Sequence, residues 1–122
     1  MSSFRDLLVW QKSMDLADVV YRLTRSFPRE ETFGLAAQLR RSAVSISSNI
    51  AEGQGRSSSR EFKQFLNIAR GSLCELQTQL EIAQRAGLAL AEELGSAAQL
   101  SHEVGKLLYL LARSIRAAPK KA

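Results

Sequence analysis

The run Glu61–Ala83, EFKQFLNIARGSLCELQTQLEIA, decides the fold. Within it Phe62, Leu66, Ala69, Leu73, Leu76, Leu80 and Ala83 recur at alternating spacings of four and three without a break. At 3.6 residues per turn this spacing gathers every apolar side chain into one helical stripe, whereas a strand would need strict alternation. A lone apolar stripe on a helix is not stable in water. It calls for partner helices lying alongside at shallow crossing angles.

Those partners stand on either side in the chain. Upstream, Val9, Leu16, Val20, Leu23 and Phe27 form one stripe, with Ser13 its polar exception, and Ala36, Leu39, Ala43, Ile46 and Ile50 form another. Downstream, Leu90, Leu94, Ala97, Val104, Leu108, Leu111 and Ile115 form a fourth, interrupted by Ser101. The punctuation agrees. Phe27-Pro28 ends the first helix, because the residue before proline is pushed out of the helical region. Glu30 and Glu31 suit the first turn of the second, where the macrodipole favours acids. Gly53-Gln54-Gly55 closes that helix, its glycines suited to positive φ. Ser58-Ser59-Arg60-Glu61 has the form of a capping box, and Gly87 that of a C′ residue. The fourth helix has no capping side chain at its start. Short connections make neighbours antiparallel, so the expected fold is all-α, an up-down-up-down four-helix bundle over residues 1–117 followed by a basic tail, 118–122.

Composition restricts the function. A chain of 122 residues, 45% hydrophobic and 24% charged, is one domain and too apolar for disorder. A single cysteine, Cys74, excludes an internal disulfide. There is neither a bilayer-length apolar run nor a leader pattern at Met1–Asp6, so a cytoplasmic protein without membrane contact is expected. No catalytic, cofactor or metal site emerges. Cys74 and His102 are two ligands short of a zinc site, and Gln99 replaces the glutamate that a di-iron bundle needs three residues before its histidine. Cys74 reads as a small semi-buried side chain and His102 as a helix-surface residue. The Gly53–Arg56 loop lacks the Lys-Ser/Thr ending of a nucleotide P-loop.

The net charge of +5 is unevenly placed. Residues 40–70 hold Arg40, Arg41, Arg56, Arg60, Lys63 and Arg70 against two acids, and the last ten residues add Arg113, Arg116, Lys120 and Lys121 with none. Two such concentrations suit a polyanionic partner. Arg41, Ser45, Asn49 and Glu52 fall on one side of the second helix, and Arg60, Lys63, Asn67 and Arg70 on one side of the third. Such ladders suit phosphate contact or an internal network. Asn49 and Glu52 favour the network, with Glu52 pairing to Arg41, Arg56 or Arg70. Off-stripe Trp10, Phe65, Ile68 and Ile82 widen the apolar surface beyond what one small bundle buries, which points to an oligomer.

Phe4–Lys12 (FRDLLVWQK), Phe27–Leu39 (FPREETFGLAAQL), Arg40–Arg56 (RRSAVSISSNIAEGQGR) and Glu61–Ala83 together resemble the four-helix-bundle proteins encoded in intervening sequences of bacterial 23S ribosomal RNA genes. The chain departs from that pattern at Ser47, where the family usually has proline. The resemblance implies a bundle that assembles as a homopentamer. It also implies kinship with the accessory variability determinant of diversity-generating retroelements, a basic pentamer that binds nucleic acid. The combined expectation is a non-enzymatic oligomeric adaptor for nucleic acid, RNA favoured, through Arg40, Arg41, Arg56, Arg60, Lys63, Arg70, Arg113, Arg116, Lys120 and Lys121. The alternative is a scaffold that docks an acidic protein and has no nucleic-acid role.

Overall fold

The structure, a computed structural model, describes residues 3–117, with side chains as far as Ile115. Four helices carry the described chain: α1 (Leu8–Arg25), α2 (Leu35–Gln54), α3 (Ser59–Arg85) and α4 (Ala91–Ala117). One-turn 3-10 segments at Phe4–Asp6 and Arg29–Glu31 precede α1 and α2. Each helix packs on two neighbours in the cyclic order α1, α2, α3, α4, and the backbones of the diagonal pairs stay apart. The α2–α3 seam is the broadest. This is the up-down four-helix bundle that the spacing demands.

The stripes meet at the centre. Leu16, Leu23, Leu39, Ile46, Ile50, Leu66, Leu76 and Leu108 are fully buried. The polar interruptions pair with one another across the seams. Ser13 Oγ donates to the Trp10 carbonyl at 2.8 Å and lies 2.9 Å from Ser47 Oγ, so it accepts from Ser47 across α1–α2. The hydroxyl at the family's proline position thus has a structural use. Ser101 gives its proton to the Ala98 carbonyl and accepts from Gln77 Nε2 at 3.2 Å. Ser42 donates to Gln79 Oε1 at 3.0 Å, and the Ser45 and Ser72 hydroxyls meet at 2.7 Å. No buried side-chain nitrogen or oxygen among the described residues lacks a partner.

Several boundaries move from where local signals put them. α1 stops at Arg25, two residues before Phe27, and Phe27 still packs into the core. Glu30 and Glu31 occupy the separate 3-10 turn rather than the first turn of α2. From there Glu31 Oε1 reaches forward 3.1 Å to accept the Leu35 amide, acting as the cap that α2's own N-cap, Gly34, cannot supply. Ser58 caps α3 by accepting from the Glu61 amide at 3.1 Å. The return half of a capping box is absent, because the Glu61 carboxylate faces the Ser58 hydroxyl instead. Leu90 lies before α4 and is exposed, so that core stripe begins at Leu94.

The glycines separate by role. Gly87 alone has positive φ, +67°, among the described residues. The Leu88 amide donates to the Ala83 carbonyl and the Gly87 amide to that of Gln84, closing α3 as a Schellman motif. Gly53 and Gly55 need no left-handed backbone. Gly53 is buried inside α2, where a Cβ would lie 2.8 Å from Phe65 Cβ and 2.9 Å from Phe62 Cδ1. Its smallness lets α2 and α3 close together at their shared turn.

Candidate nucleic-acid interface

The ten basic residues of the expected interface have different surroundings. Arg41, Arg60, Lys63 and Arg70 have no acidic partner within ion-pair range among the described residues. Arg60 and Arg70 are exposed and Lys63 is half-buried. Arg40, Arg56 and Arg113 are held by aromatic rings. Arg40 Nε donates to Thr24 Oγ1 at 2.8 Å, and its guanidinium lies 4.9 Å from the Tyr21 ring centroid. Arg56 pairs with Glu52 at 2.8 Å and sits 4.8 Å from the Phe65 centroid. Arg113 donates to Tyr109 Oη at 3.2 Å. Lys120, Lys121 and the side chain of Arg116 lie outside the described residues, as does the expected tail 118–122.

The two polar ladders do not share one surface. On α3, Gln77 reaches Ser101 of α4, and Lys63 and Arg70 stand two and one heptads before it. They therefore lie on the α4 side of the helix's outer surface. The α2 ladder lines the opposite, α2–α3 groove and is mostly consumed there. Asn49 Nδ2 donates to the Ser45 carbonyl at 2.8 Å and to its hydroxyl at 3.1 Å, while Glu52 holds Arg56. Of that ladder only Arg41 keeps a free charge.

Helix register joins stretches that the sequence separates. A Cβ on Gly105 would meet Leu73 Cδ2 at 3.3 Å, and Ser101 opposes Gln77. With α3 and α4 antiparallel, Arg113 stands level with residue 65. Arg56, Arg60, Lys63 and Arg113 thus gather at one end of the bundle, with Arg70 about two turns further along α3. Ser13 opposite Ser47 brings the start of α1 to the same end and adds Arg5, its guanidinium 4.6 Å from the Phe4 ring. Asp6 balances Arg5 locally, so the charge pattern along the chain does not mark it. Only the fold carries it to the basic end.

The off-stripe apolar residues divide as well. Trp10 packs edge-on against Phe4 with centroids 5.2 Å apart, and Phe65 lies under Arg56. Ile68 and Ile82 remain half open on the outer side of α3, at 51% and 48% exposure. Cys74 is exposed rather than semi-buried, and His102 is exposed on α4. No described helix is long and apolar enough to cross a membrane.

Comparison with known proteins agrees with this architecture. Residues 5–110 match the model of the family described as 23S rRNA-intervening sequence protein. The chain belongs to that family. Among solved structures it is similar to a protein with unknown function from the S23 ribosomal protein family of Bacteroides thetaiotaomicron. The two are 29% identical, the alignment covers 87% of this chain and 99% of the other, and the TM-score is 0.81. No curated protein matches. The family's connection is to intervening sequences of 23S rRNA, and the similar structure carries no assigned activity.

Proposed function

We propose that the protein is a non-enzymatic, cytoplasmic adaptor that binds nucleic acid, structured RNA above all, through the basic end of the bundle. The supporting observation is that Arg60, Lys63 and Arg70 form one ladder on the outside of α3 with no acid in ion-pair range among the described residues. Unpaired cations in a row meet a phosphate backbone readily, and their release of counterions supplies most of the binding free energy. Arg113 stands beside them, and Arg56 is one side chain away from release by Glu52. Contacts of this kind position a duplex or hairpin without reading its sequence.

The protein acts as a homo-oligomer, a pentamer by family resemblance. Assembly repeats the basic end around the ring and multiplies weak phosphate contacts by avidity.

The test is fluorescence anisotropy with an RNA hairpin, a single strand and duplex DNA across a salt series. The expected result is an affinity whose logarithm falls linearly with the logarithm of salt concentration, and which weakens in the Arg60→Glu, Lys63→Glu variant. Absence of binding at low salt would overturn the reading in favour of a scaffold docking an acidic protein.

A further inference from the structure

One groove of the bundle is built for something more selective than a phosphate chain. It measures about 560 Å³ and crosses the outer side of α2 from α3 to α1, lined by Gln79 and Glu75 at one end, Arg41 in the middle, and Arg40 with Tyr21 at the other. That volume lies in the range of roughly 300–1,000 Å³ usual for small-ligand sites.

The side chains in it are committed in a particular way. Gln79 is only 6% exposed, and its carbonyl accepts from Ser42. Its amide nitrogen has no hydrogen-bond partner among the described residues. Since no fully buried nitrogen is left unpartnered there, that NH2 opens onto the groove it lines. Glu75 stands one helical turn earlier on the same face of α3 and is free of any ion pair among the described residues. A fixed donor thus sits beside two carboxylate acceptors. At the far end Thr24 gives its own proton to the Val20 carbonyl and accepts from Arg40 Nε, which holds the Arg40 guanidinium over the Tyr21 ring, 4.9 Å from its centroid.

We infer that this groove takes a guanosine from an unpaired segment of RNA, an inference that rests on the nucleic-acid reading above. Guanine alone among the four bases presents a carbonyl next to two adjacent donors, N1–H and the exocyclic amine. Gln79 donates to the carbonyl, and the two Glu75 oxygens accept from the two donors. Adenine, cytosine and uracil each offer the carboxylate only one. Arg41 meets the adjoining phosphate, and the neighbouring base stacks on the Arg40–Tyr21 pair, since guanidinium planes and aromatic rings are the usual platforms for splayed bases. The acid is what makes the groove selective. Glu75 repels a phosphate and is satisfied only by a base edge rich in donors.

The experiment uses hairpin RNAs with one stem and a loop in which a single guanosine is kept or replaced by inosine, adenosine, cytidine or uridine. The guanosine loop is expected to bind about tenfold tighter than the adenosine, cytidine and uridine loops. Inosine, which lacks only the exocyclic amine, falls between. Glu75→Gln, an exposed change that circular dichroism should show to be folded, abolishes the preference while leaving the salt slope unchanged. Arg40→Lys weakens every loop and keeps the preference. Equal binding of all loops by the parent, or a preference that survives Glu75→Gln, overturns the guanosine site and leaves the phosphate reading intact. A second arm records the Gln79 side-chain amide signals by NMR during titration with guanosine monophosphate and with adenosine monophosphate. If no hairpin binds, a shift with the guanosine nucleotide alone sustains the groove and sinks only the RNA reading. No shift with either nucleotide sinks the groove.

Discussion

The two ends of the bundle are built from the same helices and the same stripes, yet they present different outer surfaces. The end where α2 turns into α3 gathers Arg5, Arg56, Arg60, Lys63 and Arg113, and of these only Arg56 is in an ion pair among the described residues. At the opposite end, where α1 turns into α2 and α3 into α4, Glu30, Glu31, Glu92 and Glu93 stand among Arg25, Arg29 and Arg85, so acids and bases are mixed, and Arg85 is paired with Glu81 at 3.3 Å. Packing cannot be the cause, since the core seam of α3 keeps the same spacing along its whole length. The stripe fixes the fold and is indifferent to what lies outside it. An uneven exterior over an even core is the charge pattern that the proposed polyanionic partner requires.

The strongest way to break this contrast is to reverse the charges on one end only. Arg60→Glu, Lys63→Glu and Arg70→Glu together should lower the slope of log affinity against log salt by about three and weaken RNA binding by two orders of magnitude or so. The same reversal at Arg25, Arg29 and Arg85 should leave the slope unchanged. A salt series by anisotropy reads both variants, and equal losses at the two ends would dissolve the distinction.

The next largest effects are on stability, and each end has its own glycine. Gly53→Ala at the basic end forces a Cβ to within 2.8 Å of Phe65. It should cost about 1–3 kcal/mol by overpacking the α2–α3 turn, read as a lower midpoint in urea. Gly87→Ala at the other end meets nothing within 4 Å, so its cost is purely conformational. With φ at +67°, a Cβ there should cost about 1–2 kcal/mol. A larger cavity-forming partner change separates the two mechanisms. Phe62→Ala removes the Cδ1 atom 2.9 Å from the added Cβ and relieves that part of the clash in the Gly53→Ala background but does nothing for Gly87→Ala, and a double-mutant cycle shows the difference.

These glycines also show what was legible in the sequence. The four stripes were, because helical periodicity is a local property and each segment states it alone. Gly87 was too, because a helix stop is written within a few residues. Gly53 was not. It resembles a loop glycine until α3 folds back and puts Phe62 and Phe65 against it, a contact made across a turn. The same holds for the charges. Arg40 and Arg41 are adjacent in the chain, but a 100° step around α2 turns one toward Thr24 and Tyr21 and the other toward the α3 groove. Counting cations marks residues 40–70 as basic but cannot tell a held arginine from a free one. The partners that decide it, Tyr21, Phe65 and Tyr109, come from helical turns and neighbours that charge arithmetic ignores. Ser13 and Ser101, read only as defects in their stripes, are cross-helix hydrogen bonds for the same reason.

The smallest effect sharpens the comparison most finely. Glu52 and Arg56 form a half-exposed ion pair one turn apart, a contact worth no more than about 0.5 kcal/mol. Glu52→Gln should therefore leave the urea midpoint almost where it is. Its consequence for binding has the opposite sign from every other change considered for the basic end. Removing the carboxylate frees the Arg56 guanidinium while the Phe65 ring still holds it in place. If the end is a phosphate-binding surface, it gains a ligand, and the salt slope steepens by about one as affinity rises. A scaffold that docks an acidic protein would gain affinity for that protein but show no such slope with RNA. A variant that loses RNA affinity would mean that the Glu52–Arg56 pair is itself part of the binding geometry, with the acid orienting the arginine rather than restraining it.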